Sequence, residues 1–273
     1  MRKRSLKKYI LGGESFFSHD LNRMSQEGDV VLARKNFIKK RFKNLDFLLK
    51  HRFEWMNKYL EDKKDIIEIG AGAGFSKFYI NKEYTLTDIV ETPWLDKKID
   101  AQNTGLPDSS IDAVITSHSI HHFSKPMLFF YECERILKPE GIILIQEINT
   151  SLFLRILLKI MRHEGWSYNI DVYNDNEVVN DPKDPWSANC AVPELIFEEP
   201  DKFNKKFSSL KIVLDKKNES LILPLSGGVI SKIDFPELPY WFLNMVYFLD
   251  KILIKIAPNI FAVGRSILIK KSK

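Results

Sequence analysis

The stretch Asp65–Ile80, DIIEIGAGAGFSKFYI, limits what this 273-residue chain can fold into more than any other. Ile66, Ile67 and Ile69 surround Glu68 in an apolar run of strand length, and an apolar pattern resumes at Phe75, where a helix is expected. Between them Gly70, Gly72 and Gly74 stand at alternate positions. A strand that exits into bare glycine and feeds a helix puts main chain at the carboxyl edge of a sheet, where open α/β folds bind ligands. A phosphate loop of the NTPase kind needs Lys-Ser or Lys-Thr after its last glycine, and GAGFSKF has neither in register. A dinucleotide fingerprint wants glycine at the first, third and sixth positions, but the sixth from Gly70 is Phe75. The remaining pattern has glycine first, third and fifth with an acid two residues upstream, as in EIGAGAG.

Around this turn the elements alternate. Strands are expected at Asp65–Ile69, Tyr84–Thr87, Ala113–Ser117 and Ile142–Glu147, with helices after Gly74 and at Met127–Leu137, the latter stopped by KPEG. Such a series reads as an α/β fold with a doubly wound, Rossmann-like, mostly parallel sheet. Later strands at Leu210–Leu214, Ser220–Leu225 and Phe261–Ile269 are expected to complete it as an antiparallel C-terminal hairpin. Residues 1–33 are a polar, aperiodic arm, and apolar spacing from Lys35 to Leu60 predicts one or two helices, so 1–60 reads as an N-terminal lid. Residues 61–150 form the ligand-binding core, 151–209 a substrate-binding insertion, and 210–273 the strands and amphipathic helix that finish the same domain.

Four segments in this order, EIGAGAG, YTLTD, IDAQNTGLPDSSIDAVITSHSIHHF and RILKPEGIILIQE, resemble the class I S-adenosylmethionine-dependent methyltransferases, the methyltransferase type 11 family among them. The resemblance runs from about Asp65 to Glu147 and implies S-adenosyl-L-methionine as cofactor. On it, Glu68, Gly70, Ala71, Gly72 and Gly74 wrap the methionine and ribose, Asp88 accepts from the ribose hydroxyls, Asp100 and Ala101 meet the adenine edge, and Ser117 lies at the same sheet edge.

A sulfonium methyl is already an electrophile, so the protein mainly positions a nucleophile in line with it. An alcohol acceptor also needs a base. SHSIHHF follows the fourth strand and brings His118, His121 and His122 to the reacting end. The resemblance implies His121 as the catalytic residue, and His163, next to Glu164 in RHEGW, is the second candidate. DVYNDNE and NDPKDP hold many oxygen ligands but lack the glycine and spacing of a calcium loop, so no metal is expected. The insertion interleaves aromatic residues with Asp and Asn. Rings cover the C–H faces of a sugar while carboxylates and amides bond its hydroxyls. Trp166, Tyr168, Asp171, Trp186 and Asn189 are therefore expected to touch substrate, with a lid whose rings merely pack as the alternative. RHEGWSYNIDV, NDPKDPWSANCAVPELIF and LPLSGGVISK further resemble a bacterial methyltransferase group found with surface-polysaccharide assembly enzymes. That likeness implies a sugar hydroxyl of an O-antigen (lipopolysaccharide) or capsule precursor, a glycan or glycolipid, as acceptor.

Composition narrows the remaining choices. At 44% apolar and 28% charged residues the chain is an ordinary globular protein. Its net charge of +5 comes partly from the terminal MRKRSLKK and IKKSK, and the insertion is acidic, so nucleic acid is not an expected partner. With two cysteines, a start too short and interrupted for a signal peptide, and no apolar run of membrane-spanning length, the cytoplasm is the expected compartment. SLFLRILLKIMR and WFLNMVYFLDKILIKIA each pair a narrow polar stripe with an apolar cylinder. They are expected first as core helices and second as peripheral membrane contacts at the inner face. Nothing in the sequence sets an oligomeric state. The rival readings are a lipid-quinone or small-molecule methyltransferase with an apolar pocket, a nicotinamide oxidoreductase weakened by Phe75, and a non-catalytic scaffold of a glycan assembly complex.

Overall fold

The computed structural model describes residues 29–161, 164–230 and 235–272. Residues 1–28 of the arm expected over 1–33 and the candidate His163 lie outside the described residues, and Val30–Ala33 of that arm open a helix. Seven strands form one sheet: β1 Ile66–Ile69, β2 Thr85–Asp88, β3 Lys97–Lys98, β4 Ile111–Ser117, β5 Leu137–Ile148, β6 Leu210–Asn218 and β7 Gly264–Lys271, in the order β3-β2-β1-β4-β5-β7-β6. The first five run parallel, and β7 pairs antiparallel with both β5 and β6.

Alternation along the strands sends side chains to two cores. Ile67, Ile69, Val114, Ile143, Ile145, Ile267 and Ile269 share one buried cluster; Ile66, Ala113, Ile115, Ile142, Leu144 and Leu268 share the other. With both faces covered, the strands read as near-continuous apolar runs, and each buried Ile, Val or Leu contributes about 1.5–3 kcal/mol by leaving water. The second face is covered by α1 (Val30–Lys39) and α2 (Lys43–Phe53). Asp29 caps α1 by accepting from Leu32 N at 2.8 Å. The helix buries Val30, Ala33 and Phe37, the last edge-on to Phe75 with centroids 5.0 Å apart. The first face is covered by α3 (Pro126–Ile136), whose Phe129, Phe130, Cys133 and Ile136 are fully buried, and by α5 (Val192–Phe197) and α6 (Pro200–Lys206), which follow α4 (Leu152–Met161) in the chain.

Three expectations change. The helix expected after Gly74 is a single 3-10 turn, Phe75–Phe78. Asn57 takes over the backbone that would extend it, donating to Tyr79 O and accepting from Asn81 N, each at 2.9 Å. Ser220–Leu225, expected as a strand, forms a helical turn over Ile222–Leu225. The Asp250 carboxylate accepts from the N–H groups of Ser220, Leu221 and Ile222 and fixes that turn. Asp250 stands on α7 (Tyr240–Ile256), which lies between β6 and β7, so the antiparallel pair is joined by a helix and not by a tight hairpin.

The two amphipathic helices meet the first expectation only in part: Leu154 and Leu158 of α4 and Leu243 and Val246 of α7 are buried, but each helix also buries a charge and exposes apolar residues. Arg155 of α4 points inward, donating to Tyr168 Oη at 2.8 Å, while Ile156 and Ile160 face out. On α7 the acid Asp250 is buried and Trp241, Met245, Phe248, Ile252 and Ile256 form an exposed stripe. Among the described residues no helix is long and apolar enough to cross a membrane.

Candidate active site

Because β1 pairs with β2 on one side and β4 on the other, the connections from its end diverge, and the carboxyl ends of these strands open a crevice. A cavity of about 630 Å³ lies there, inside the roughly 300–1,000 Å³ range of small-molecule sites. Gly70, Gly72 and Gly74 all take left-handed φ, +72°, +52° and +63°. Gly72 N donates to Asp88 Oδ2 at 2.8 Å and Ala71 N to Thr87 O at 3.0 Å, tying the loop to the end of β2. From outside, Arg34 Nη1 donates to the carbonyls of Ala73 and Gly74 at 2.7 and 3.0 Å, and Trp94 Nε1 to Gly72 O at 3.0 Å. The loop is thus held before any ligand arrives.

Of the residues expected to hold the cofactor, Glu68, Gly70, Ala71, Gly72, Asp88, Asp100, Ala101 and Ser117 line this cavity. Gly74 does not. It lies behind the loop, where a Cβ would come within 2.9 Å of Arg34 and Trp94. Glu68 has a local task as well: its buried carboxylate accepts from the Ser76 hydroxyl, which in turn accepts from Tyr84 Oη at 2.8 Å. Burial raises its pKa to about 8. Asp88 is also pushed up by burial, against the pull of the Val90 and Gly72 N–H groups. Asp100 Oδ1 accepts from Gln102 N at 2.8 Å, shaping the rim expected to face adenine.

Beyond the cradle stand the histidines. His121 Nδ1 lies 2.7 Å from Glu147 Oε2, and its Nε2 lies 3.4 Å from Glu164 Oε2. Burial alone depresses its pKa, but the two carboxylates outweigh burial and raise it to about 10. At neutral pH His121 therefore carries its proton and is not a free base. His122 is the opposite case: burial, with the His121 charge beside it, lowers its pKa to about 4. Its Nδ1 is 3.1 Å from the Ser187 carbonyl, which only accepts, so neutral His122 carries hydrogen on Nδ1 and a lone pair on Nε2. That Nε2 is 3.5 Å from Glu164 Oε1. His118, half-buried with φ +53°, also lines the cavity, and desolvation holds its pKa well below the usual value. Glu147 is the partner that sequence reasoning missed. An acid ending an otherwise apolar strand, GIILIQE, carries the same signal that pointed to Asp88.

The insertion divides. Trp186 lines the cavity, its ring edge-on to His122 at 6.5 Å. Trp166 is buried among Ile148, Leu154, Leu158 and Val263. Tyr168 donates to Glu194 Oε2 at 2.5 Å, Asp171 pairs in solvent with Lys202, and Asn189 accepts from Ser167 N and Ala191 N. None of these four lines the cavity. The Asp and Asn richness has a local cause: Asp171, Asn174, Asp181 and Asp184 each accept from the N–H two residues on, a series of side-chain turns.

Comparison with known proteins gives the domain. Residues 67–145 match the family model described as a methyltransferase domain, the span that holds the glycine loop, Asp88, Asp100 and His121. The chain carries a methyltransferase domain. With the glycine cradle and the carboxylate ending β2, that domain identifies the chain as a methyltransferase using S-adenosyl-L-methionine, and the residues present fit the nucleoside: a bare main chain and an acid for its ribose. A solved structure shares the fold. A SAM-dependent methyltransferase from Archaeoglobus fulgidus is 21% identical, with 87% of this chain and 99% of that one covered and a TM-score of 0.50. The YcgJ protein of Bacillus subtilis is 14% identical over 82% and 98%, TM-score 0.46, and the CurJ carbon methyltransferase 16% identical over 90% and 59%, TM-score 0.48. No curated protein matches the chain.

Proposed function

We propose that the chain transfers a methyl group from S-adenosyl-L-methionine to a hydroxyl of a lipid-linked glycan, a surface-polysaccharide precursor, while resting on the inner membrane face. The observation that carries this reading is the His121–His122–Glu164 cluster, backed by the buried Glu147, in the same cavity as the glycine cradle. An oxygen acceptor has a proton to lose, and such a cluster is where it goes. The acceptor oxygen forms the C–O bond as the methyl carbon leaves sulfur, the bonding pair stays on sulfur, and the proton passes to the Glu164–His122 pair. His121, already protonated between Glu147 and Glu164, orients that pair in place of the base role expected from the sequence.

The rest of the cavity wall supports a two-part acceptor. Leu154, Leu157, Leu158, Ile160 and Met161 make one side apolar, while Asp181, Lys183 and Asp184 line another part. Ile160 belongs to the cavity wall and is also 73% exposed. From it the apolar surface continues over Pro258–Phe261, which packs on α4, to the α7 stripe, where Trp241 is 69% and Phe248 65% exposed beside Lys251 and Lys255. Grease with flanking lysines suits an anionic bilayer surface. The apolar wall equally favours a second reading, methylation of a small apolar alcohol or a lipid quinone.

The test is transfer of labelled methyl from S-adenosylmethionine to anionic liposomes carrying lipid-linked glycans. An alkali-stable methyl ether on the sugar is expected. Label on the quinone fraction alone would favour the second reading, and label on nitrogen or carbon would refute both.

A further inference from the structure

We infer that His121, His122 and Glu164 form a binding site for a divalent transition-metal ion at the reacting end of the cavity. Their donor atoms, one from each residue, lie within 4.8 Å of one another. Two of the separations, 3.4 Å from His121 Nε2 and 3.5 Å from His122 Nε2 to the Glu164 oxygens, are close to the about 3.3–3.4 Å edge of a tetrahedron with bonds of about 2.0–2.1 Å. The third separation, between the two imidazoles, is within 4.8 Å. Two imidazoles and a carboxylate with the fourth position open to a cavity is the donor set of a catalytic metal site, and it suits zinc, cobalt or iron better than calcium or magnesium.

The surroundings complete the case. A metal-binding imidazole presents one nitrogen to the ion and donates N–H from the other to a carboxylate or carbonyl. Both histidines are arranged so. His121 Nδ1 faces the fully buried Glu147 at 2.7 Å, and His122 Nδ1 faces the Ser187 carbonyl at 3.1 Å. Glu147 is itself fixed, accepting from Ile120 N and Ile148 N at 2.8 and 2.9 Å. Asn180 Nδ2 holds the His121 carbonyl at 2.8 Å and Asn189 N donates to the same oxygen at 2.9 Å, so the insertion anchors the turn carrying both rings. The expectation of no metal looked at the acidic loops 171–184; these three ligands come from the end of β4 and from Glu164, 42 residues after His122.

A bound ion would be held by His121, His122 and Glu164, with its remaining position toward the cavity these residues line. As a Lewis acid it would lower the pKa of an acceptor hydroxyl, so that with the ion bound the proton would leave to water, and only in the metal-free chain would the Glu164–His122 pair take it. This role rests on the methyl-transfer reading; the site itself rests on geometry alone.

The experiment titrates the full chain with Co²⁺ and reads the visible d–d absorption, with Zn²⁺ competition by equilibrium dialysis. S-adenosylmethionine binding is measured by calorimetry on the same samples. One Co²⁺ per chain, displaced by Zn²⁺, is expected. His122→Ala and Glu164→Gln should weaken binding at least about 100-fold, and Glu147→Gln, which loses only the support of His121, about 10–100-fold. Each variant should still bind S-adenosylmethionine, which shows that it is folded. A chain that binds the nucleoside but no metal, or whose metal binding survives His122→Ala with Glu164→Gln, overturns this inference alone. Metal binding without nucleoside binding would overturn the donor assignment and leave the ion site standing.

Discussion

Gly70 shows how much one missing side chain decides. A Cβ there would come within 2.3 Å of Ser119 Oγ, whose hydroxyl donates to Gly70 O at 2.9 Å and fixes the cradle to the end of β4. Gly70→Ala should cost on the order of 2–4 kcal/mol, left-handed strain plus overpacking, and abolish nucleoside binding. Gly105 is the control, with φ +65° and nothing within 4 Å of its Cβ position. Gly105→Ala should cost only the about 1–2 kcal/mol of strain. Urea melts and calorimetry on the two variants check this. At this scale the sequence was readable wherever a residue type was improbable in its setting: glycine three times after a strand, Asp88 ending β2, histidines after β4. It was unreadable for Trp166 and Asn189, because a ring or amide packs into a core and binds a sugar with the same chemistry.

At the scale of elements, Glu132 joins α3 to the loop that carries Asp100 and Gln102. Its carboxylate accepts from Arg135 Nη2 at 2.8 Å and from Thr104 N and Oγ1 at 2.9 and 2.7 Å. The Arg135 hydrogen bond, against burial and with Thr104 adding to it, lowers its pKa to about 2 from 4.5. A depressed carboxylate stabilises the fold fully above its unfolded value and loses that contribution as pH falls through the folded one. The stability gap between wild type and Glu132→Gln should therefore be constant above about pH 4.5 and narrow as the pH falls toward 2, read from urea melts across that window. Periodicity found most strands to within a few residues, since an apolar run in a doubly covered sheet has few other uses. It failed at Phe75–Phe78 and Ser220–Leu225, where Asn57 and Asp250, distant in the chain, take the backbone donors and acceptors that local propensity assumes are free.

At the scale of the whole molecule, the buried Arg52–Glu219 pair joins α2 to the end of β6, with Arg52 Nε and Nη2 donating at 2.9 and 2.7 Å. Gln146 Nε2 of β5 also reaches Glu219, at 3.2 Å. Glu219→Gln leaves the Arg52 charge without its counter-ion and should cost about 3–5 kcal/mol, while adding Arg52→Met should recover most of the loss. A double-mutant cycle in urea measures both. The sequence by itself determined the alternating α/β order, the glycine cradle and its acid, and hence the methyltransferase domain, because these depend on neighbours along the chain. Only the tertiary structure decided that Glu147 and Glu164 meet His121 from two sides, that the acids of the insertion spend their oxygens on turns, and that α4 and α7 bury Arg155 and Asp250 while leaving apolar residues exposed. Those outcomes are set by contacts between segments tens of residues apart, and no local pattern of polarity encodes which of two faces finds a partner.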